Sequence, residues 1–123
     1  MTLKQTRLVT SDVAKLTRFY ETVSQSKAEI LNSSFVQFQN EACKGLAIVG
    51  LASTRAYGDG VAEAGANRSV ILDFEVDNVD VEYEQLQENV SDWVMAPKVM
   101  PWGARAIVFR DPDGNLVNMY SHP

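Results

Sequence analysis

The stretch Ala104-Arg105-Ala106-Ile107-Val108-Phe109-Arg110-Asp111-Pro112-Asp113-Gly114-Asn115-Leu116-Val117-Asn118-Met119-Tyr120 decides the fold. Apolar residues alternate up to Asp111-Pro112-Asp113-Gly114, where proline presets one turn dihedral and glycine accepts positive φ, and a second alternating run follows. That grammar predicts two antiparallel strands joined by a tight turn.

Working outward, Leu8-Val9-Thr10-Ser11-Asp12-Val13 lies over Phe74-Glu75-Val76-Asp77-Asn78-Val79 at a constant offset of 66 residues. Each copy reads as a strand running into a capped helix. Ser11 and Asp77 are the expected caps or near-caps, and the helices are expected to bury Val13, Leu16, Tyr20 and Val23, then Val79, Tyr83, Leu86 and Val90. Three short strands follow each helix: residues 28–31, 35–39 and 44–49, then 94–96, 104–110 and 115–121. The chain is thus an α+β protein written as βαβββ twice, with module one at about 1–50, a linker at 51–67 and module two at about 68–123. The linker carries Gly58, Gly60 and Gly65 and is long for a connection, which suits either a flap or a plain tether.

At 123 residues and 46% hydrophobic content, the chain suits one compact domain whose two small modules share a core or pair with a second chain. A net charge of −5 without any cluster of Lys or Arg argues against nucleic acid. No stretch is apolar for long enough to suggest a membrane span, and the N-terminus lacks a secretory apolar core. The lone Cys43 cannot form an internal disulfide, so a reducing compartment, the cytoplasm, is expected.

The closing hairpin resembles that of the vicinal oxygen chelate superfamily, the glyoxalase I, bleomycin-resistance and extradiol dioxygenase proteins. Their last strand reads Asp-Pro-Asp-Gly, three residues, then a metal-binding glutamate; here Asn118 holds that place. The resemblance implies a curled mixed sheet with helices on the outer face, a ligand cleft on the inner face, and a homodimer. It also implies four metal-ligand positions, one on the first and one on the last strand of each module. Gln5 stands where a liganding glutamine or histidine begins the first strand, and the offset carries it onto Ile71. On the closing strands Leu46-Ala47-Ile48-Val49 is laid over Leu116-Val117-Asn118-Met119, which pairs Ile48 with Asn118. Two amides and two aliphatic side chains replace the dehydration energy of Zn²⁺, Ni²⁺ or Fe²⁺ poorly, so no metal and no other cofactor is expected. His122, next to the end of the chain, reads as solvated rather than as a ligand.

Strand alternation extends this set, because residues two apart share a face. Arg7 joins Gln5, Ser69 and Asp73 join Ile71, Leu46 joins Ile48, and Tyr120 joins Asn118. Arg7 and Asp73, symmetry mates at the same offset, are expected either to neutralise one another or to grip a polar ligand. Most aromatic residues read as core. Trp102, between Pro101 and Gly103 at the mouth of the hairpin, is instead placed to stack on a planar ligand.

No nucleophile motif, phosphate loop or second histidine appears. The leading expectation is a metal-free member of the superfamily that binds a small organic molecule, with the negative charge favouring a cationic guest. The alternatives are a glyoxalase-like lyase, isomerase or dioxygenase with a divergent site, and a non-catalytic structural or regulatory dimer.

Overall fold

A computed structural model describes all 123 residues. The chain divides into unit 1, Met1–Ala66, and unit 2, Asn67–Pro123.

Unit 1 runs β1 (Thr6–Thr10), α1 (Val13–Ser24), β2 (Glu29–Asn32), β3 (Phe35–Gln37), β4 (Leu46–Gly50), α2 (Leu51–Thr54) and a 3₁₀ turn at Arg55–Tyr57. Its sheet has the order β1-β4-β3-β2, with β1 and β4 parallel and the other pairs antiparallel. Asp12 starts α1 by accepting a hydrogen bond from the Lys15 amide at 3.1 Å, and Gln25 ends it in the left-handed region at φ 51°. Between these caps Leu16, Phe19, Tyr20 and Val23 recur at helical spacing and are buried.

Unit 2 repeats the pattern with β5 (Ile71–Glu75), α3 (Val79–Gln85), β6 (Asp92–Val99), β7 (Arg105–Arg110) and β8 (Leu116–Ser121), in the order β5-β8-β7-β6. Asn78 caps α3 through a 3.1 Å bond from the Val81 amide. The two capping residues, Asp12 and Asn78, are themselves 66 apart, one place beyond Ser11 and Asp77. The helix stops at Gln85, so Leu86 and Val90 are buried from the turns that follow it. Arg105 ties α3 to β7 with two 2.8 Å bonds to the Asp80 carboxylate. Strand β6 is longer than residues 94–96 and contains Pro97; it is an edge strand, where a missing N–H is tolerated.

The turn between β7 and β8 explains its own spelling. Asp111 is buried, and its Oδ1 accepts from the amides of Asp113 and Asn115 at 2.9 and 3.0 Å, while Oδ2 accepts from Asn115 Nδ2 at 2.8 Å. Gly114 sits at φ 88°, and Arg110 Nη1 donates to its carbonyl. The aspartate therefore organises the turn as an internal cap.

The linker forms more structure than a tether. Residues 51–66 belong to unit 1, and they include α2 and the 3₁₀ turn.

Candidate functional site

In unit 2 the parallel register sets Ile71 beside Leu116, Asp73 beside Asn118 and Glu75 beside Tyr120. The antiparallel register adds Val108 opposite Asn118 and Ala106 opposite Tyr120. These side chains share one face of the sheet, while Val117, Met119, Ile107 and Phe109 are buried on the other. The shared face floors a pocket of about 450 Å³, of the size that small-molecule sites have. Met100, Trp102 and His122 complete its lining together with Ala104.

The pocket is mostly apolar with a polar couple at its floor. Asn118 Nδ2 donates to Asp73 Oδ1 at 2.9 Å, which turns the amide toward the carboxylate and leaves the second carboxylate oxygen as an acceptor. Trp102 is 78% exposed and Ile71 57% exposed. Large apolar surfaces held open around a concavity are what a ligand would cover. His122 turns an edge to the Tyr120 ring, 5.6 Å between centroids, and its Nε2 lies 3.9 Å from Glu75.

Of the residues expected in unit 2, Ile71, Asp73, Trp102, Asn118 and Tyr120 all line this pocket. Ser69 does not: it precedes β5, and its amide donates to Asn67 Oδ1. Met100, Ala104, Ala106, Val108 and His122 were not anticipated. Val108 and Ala106 were readable, since hairpin pairing places them across from Asn118 and Tyr120. His122 continues the parity of Tyr120 past the end of β8.

Unit 1 requires a correction. Arg7 pairs with Ala47 and Val9 with Val49, so these residues share a face, and Arg7, Val9 and Val49 line a pocket of about 370 Å³. Leu46 and Ile48 lie on the opposite face. Ile48 pairs with the buried Leu8 and Val36. Gly50 has the same parity, and a Cβ built there would meet Ser34 Oγ at 2.6 Å and a methyl of Val13 of α1 at 3.4 Å. The mate of Asn118 is therefore Ala47: Arg7 pairs with Ala47 as Asp73 pairs with Asn118. The laying of Leu46-Ala47-Ile48-Val49 over Leu116-Val117-Asn118-Met119 was one residue out of register, and a slip of one exchanges the faces. Gln5, half-buried, precedes β1 and is not part of the pocket lining.

Arg7 and Asp73 each find a partner inside their own unit. Arg7 Nη2 donates to the Tyr57 hydroxyl at 2.9 Å, and Asp73 accepts from Asn118.

The corrected ligand positions are Gln5, Ala47, Ile71 and Asn118. This set offers no carboxylate, imidazole or thiolate, and no three His, Cys, Asp or Glu side chains converge anywhere in the chain. It does not fit a catalytic divalent ion.

Two four-stranded mixed sheets in repeated βαβββ units, each with a helix on one face, define the vicinal oxygen chelate class. The chain belongs to the glyoxalase-like domain family, whose model matches residues 3–122. A protein of unknown function from Agrobacterium tumefaciens str. C58 has 22% identity and a TM-score of 0.84, covering 100% of this chain and 95% of that one. A glyoxalase/bleomycin resistance protein/dioxygenase from Nocardioides has 26% identity and a TM-score of 0.78, over 99% and 83%. A glyoxalase-related enzyme from Fulvimarina pelagi has 20% identity and a TM-score of 0.83, over 100% and 89%. No curated protein sequence matches the chain.

Proposed function

We propose that this protein binds a small organic molecule, without a metal ion, on the open face of unit 2. The observation that carries the reading is the pairing of an apolar pocket, with Trp102 and Ile71 held exposed around it, with metal-ligand positions that hold no carboxylate, imidazole or thiolate. A ligand with an apolar or planar body would cover Trp102, Ile71, Val108 and Leu116, and a polar hydrogen on it would meet the Asp73 carboxylate. The net charge of −5, with Asp73 and Glu75 on the pocket's strand, favours a cationic group on that ligand. The same reading takes the protein as a homodimer of a reducing compartment such as the cytoplasm, where the buried thiol of Cys43 stays free.

The test is a fragment screen observed by ¹⁵N-HSQC on the full chain. Hits are expected to move the Trp102 indole and the amides of Ile71, Val108, Leu116 and Asn118 saturably, with cationic fragments enriched. Trp102→Ala should weaken the best hit about tenfold or more, as loss of one aromatic stacking contact implies. A screen without saturable hits, or with hits that map away from this face, contradicts the reading.

A further inference from the structure

Unit 1 carries its own pocket, and its chemistry is of the opposite sign. Val9, Val49, Val61 and Ala62 give it apolar walls, and Arg7 is its only charged lining residue. The wall is built by the segment after β4: Gly58 and Gly60 take φ of +135° and +73°, turning the chain sharply enough to bring Val61 back to the pocket.

Arg7 has no carboxylate partner. The ion pairs of the chain are Lys44 with Glu41, Arg105 with Asp80, and the longer His122–Glu75 contact. This is so although acids outnumber Lys and Arg by 16 to 11. The guanidinium is exposed, but it is held in place by a likewise exposed Tyr57. One Nη2–H is taken by the Tyr57 hydroxyl, and Cζ lies 5.4 Å from the centre of the Tyr57 ring. Tyr57 thus props a cation at the pocket while leaving most of its five N–H groups available, and a guanidinium so held matches a carboxylate's two oxygens.

We propose that the unit 1 pocket binds a small aliphatic carboxylate, with Arg7 receiving the carboxylate and Val9, Val49 and Val61 covering a short branched chain. Arg7 supplies the specificity and Tyr57 positions it. The proposal rests on unit 1 alone and goes beyond the reading for unit 2. The two can fail separately because their reporter residues differ.

The experiment is an NMR titration of labelled full-length protein with isovalerate, with its neutral amide isovaleramide, and with inorganic phosphate. Isovalerate should shift the Val9, Val49 and Val61 methyls and the Arg7 Nε–H saturably, and isovaleramide should bind at least tenfold more weakly. Arg7→Met should weaken isovalerate about tenfold or more, the scale of one charge-assisted hydrogen-bonded contact. Arg7→Lys, which keeps the charge and loses the fork, should fall between. Absence of saturable isovalerate shifts, equal binding of the amide, or undiminished binding by Arg7→Met overturns the proposal. Phosphate binding as tightly as isovalerate overturns its aliphatic part.

Discussion

The burial of Ile48 against the exposure of Ile71 can be tested by truncating both isoleucines. Ile48 has 0% exposure on the helix-facing side, whereas Ile71 is 57% exposed on the pocket face. Ile48→Ala removes three buried carbons, about 2.4 kcal/mol of transfer free energy at 0.8 per carbon, and leaves a cavity that brings the total to about 3–4 kcal/mol. A chain of 123 residues has an unfolding entropy near 0.26 kcal/mol/K by the per-residue average, so its melting temperature should fall by about 13 °C. Ile71→Ala removes the same atoms from a side chain less than half covered, leaves no enclosed cavity, and should cost about 1 kcal/mol, near 4 °C. Melts followed by far-UV circular dichroism, with urea midpoints alongside, separate the two. Equal losses, or a larger loss for Ile71→Ala, would refute the burial of Ile48 in the core and the exposure of Ile71 on the pocket face.

Asp80 and Glu82, in the first turn of α3, should move acid stability in opposite directions. The Arg105 hydrogen bond holds Asp80 below the ordinary 3.8, so its stabilisation is present above that value and lost as pH falls through the lowered one; Asp80→Asn should flatten this part of a pH–melting profile. Burial raises Glu82 above 4.5, so its contribution is present in acid and lost as pH rises, and Glu82→Gln should melt higher than the parent near neutrality. Burial pushes the Cys43 thiol from 9.0 up to about 11, with a Ser24 hydrogen bond opposing the shift, so at neutral pH its thiolate fraction should be about 100-fold below that of a free thiol. Labelling by iodoacetamide should be correspondingly slow and become fast in urea; fast labelling of the folded protein would contradict its burial. Sedimentation at tens of micromolar should give twice the chain mass, in keeping with Ile30 and Leu31 exposed on the edge strand β2, and a monomer would remove the dimer from the account.

The parts of the fold legible in the sequence were those written in local chemistry. Asp111-Pro112-Asp113-Gly114 specifies its turn through a side-chain cap and one positive φ, both properties of adjacent residues. The duplicated helices announce themselves through caps and spacing, and unit 2's pocket face followed from alternation because Leu72, Phe74, Val117 and Met119 fall on one side of β5 and β8 and Asp73 and Asn118 on the other. Strand β4 was not legible in this way. Leu46-Ala47-Ile48-Val49 is apolar at every position and buried at every position, so alternation carries no information there and only pairing with β1 assigns the faces. The pocket around Arg7 was hidden for a different reason: its wall comes from a glycine-bearing segment whose path is set by tertiary contact rather than by periodicity. His122 is as solvated as the sequence reads it, at 68% exposure, while the parity of Tyr120 also brings it to the pocket lining.

Unit 2's face is proposed to bind its ligand without a metal ion. The most direct measurement is to titrate the best fragment from the screen into protein pretreated with EDTA, and again with excess Ni²⁺ or Zn²⁺, following Ile71, Leu116 and Asn118. The same dissociation constant is expected in both conditions, with no saturable change in melting temperature from metal alone, where a site held at a hundredfold excess would add about 2.7 kcal/mol. Binding that appears only with added metal, disappears in EDTA and is lost in Asn118→Ala would contradict metal-free binding.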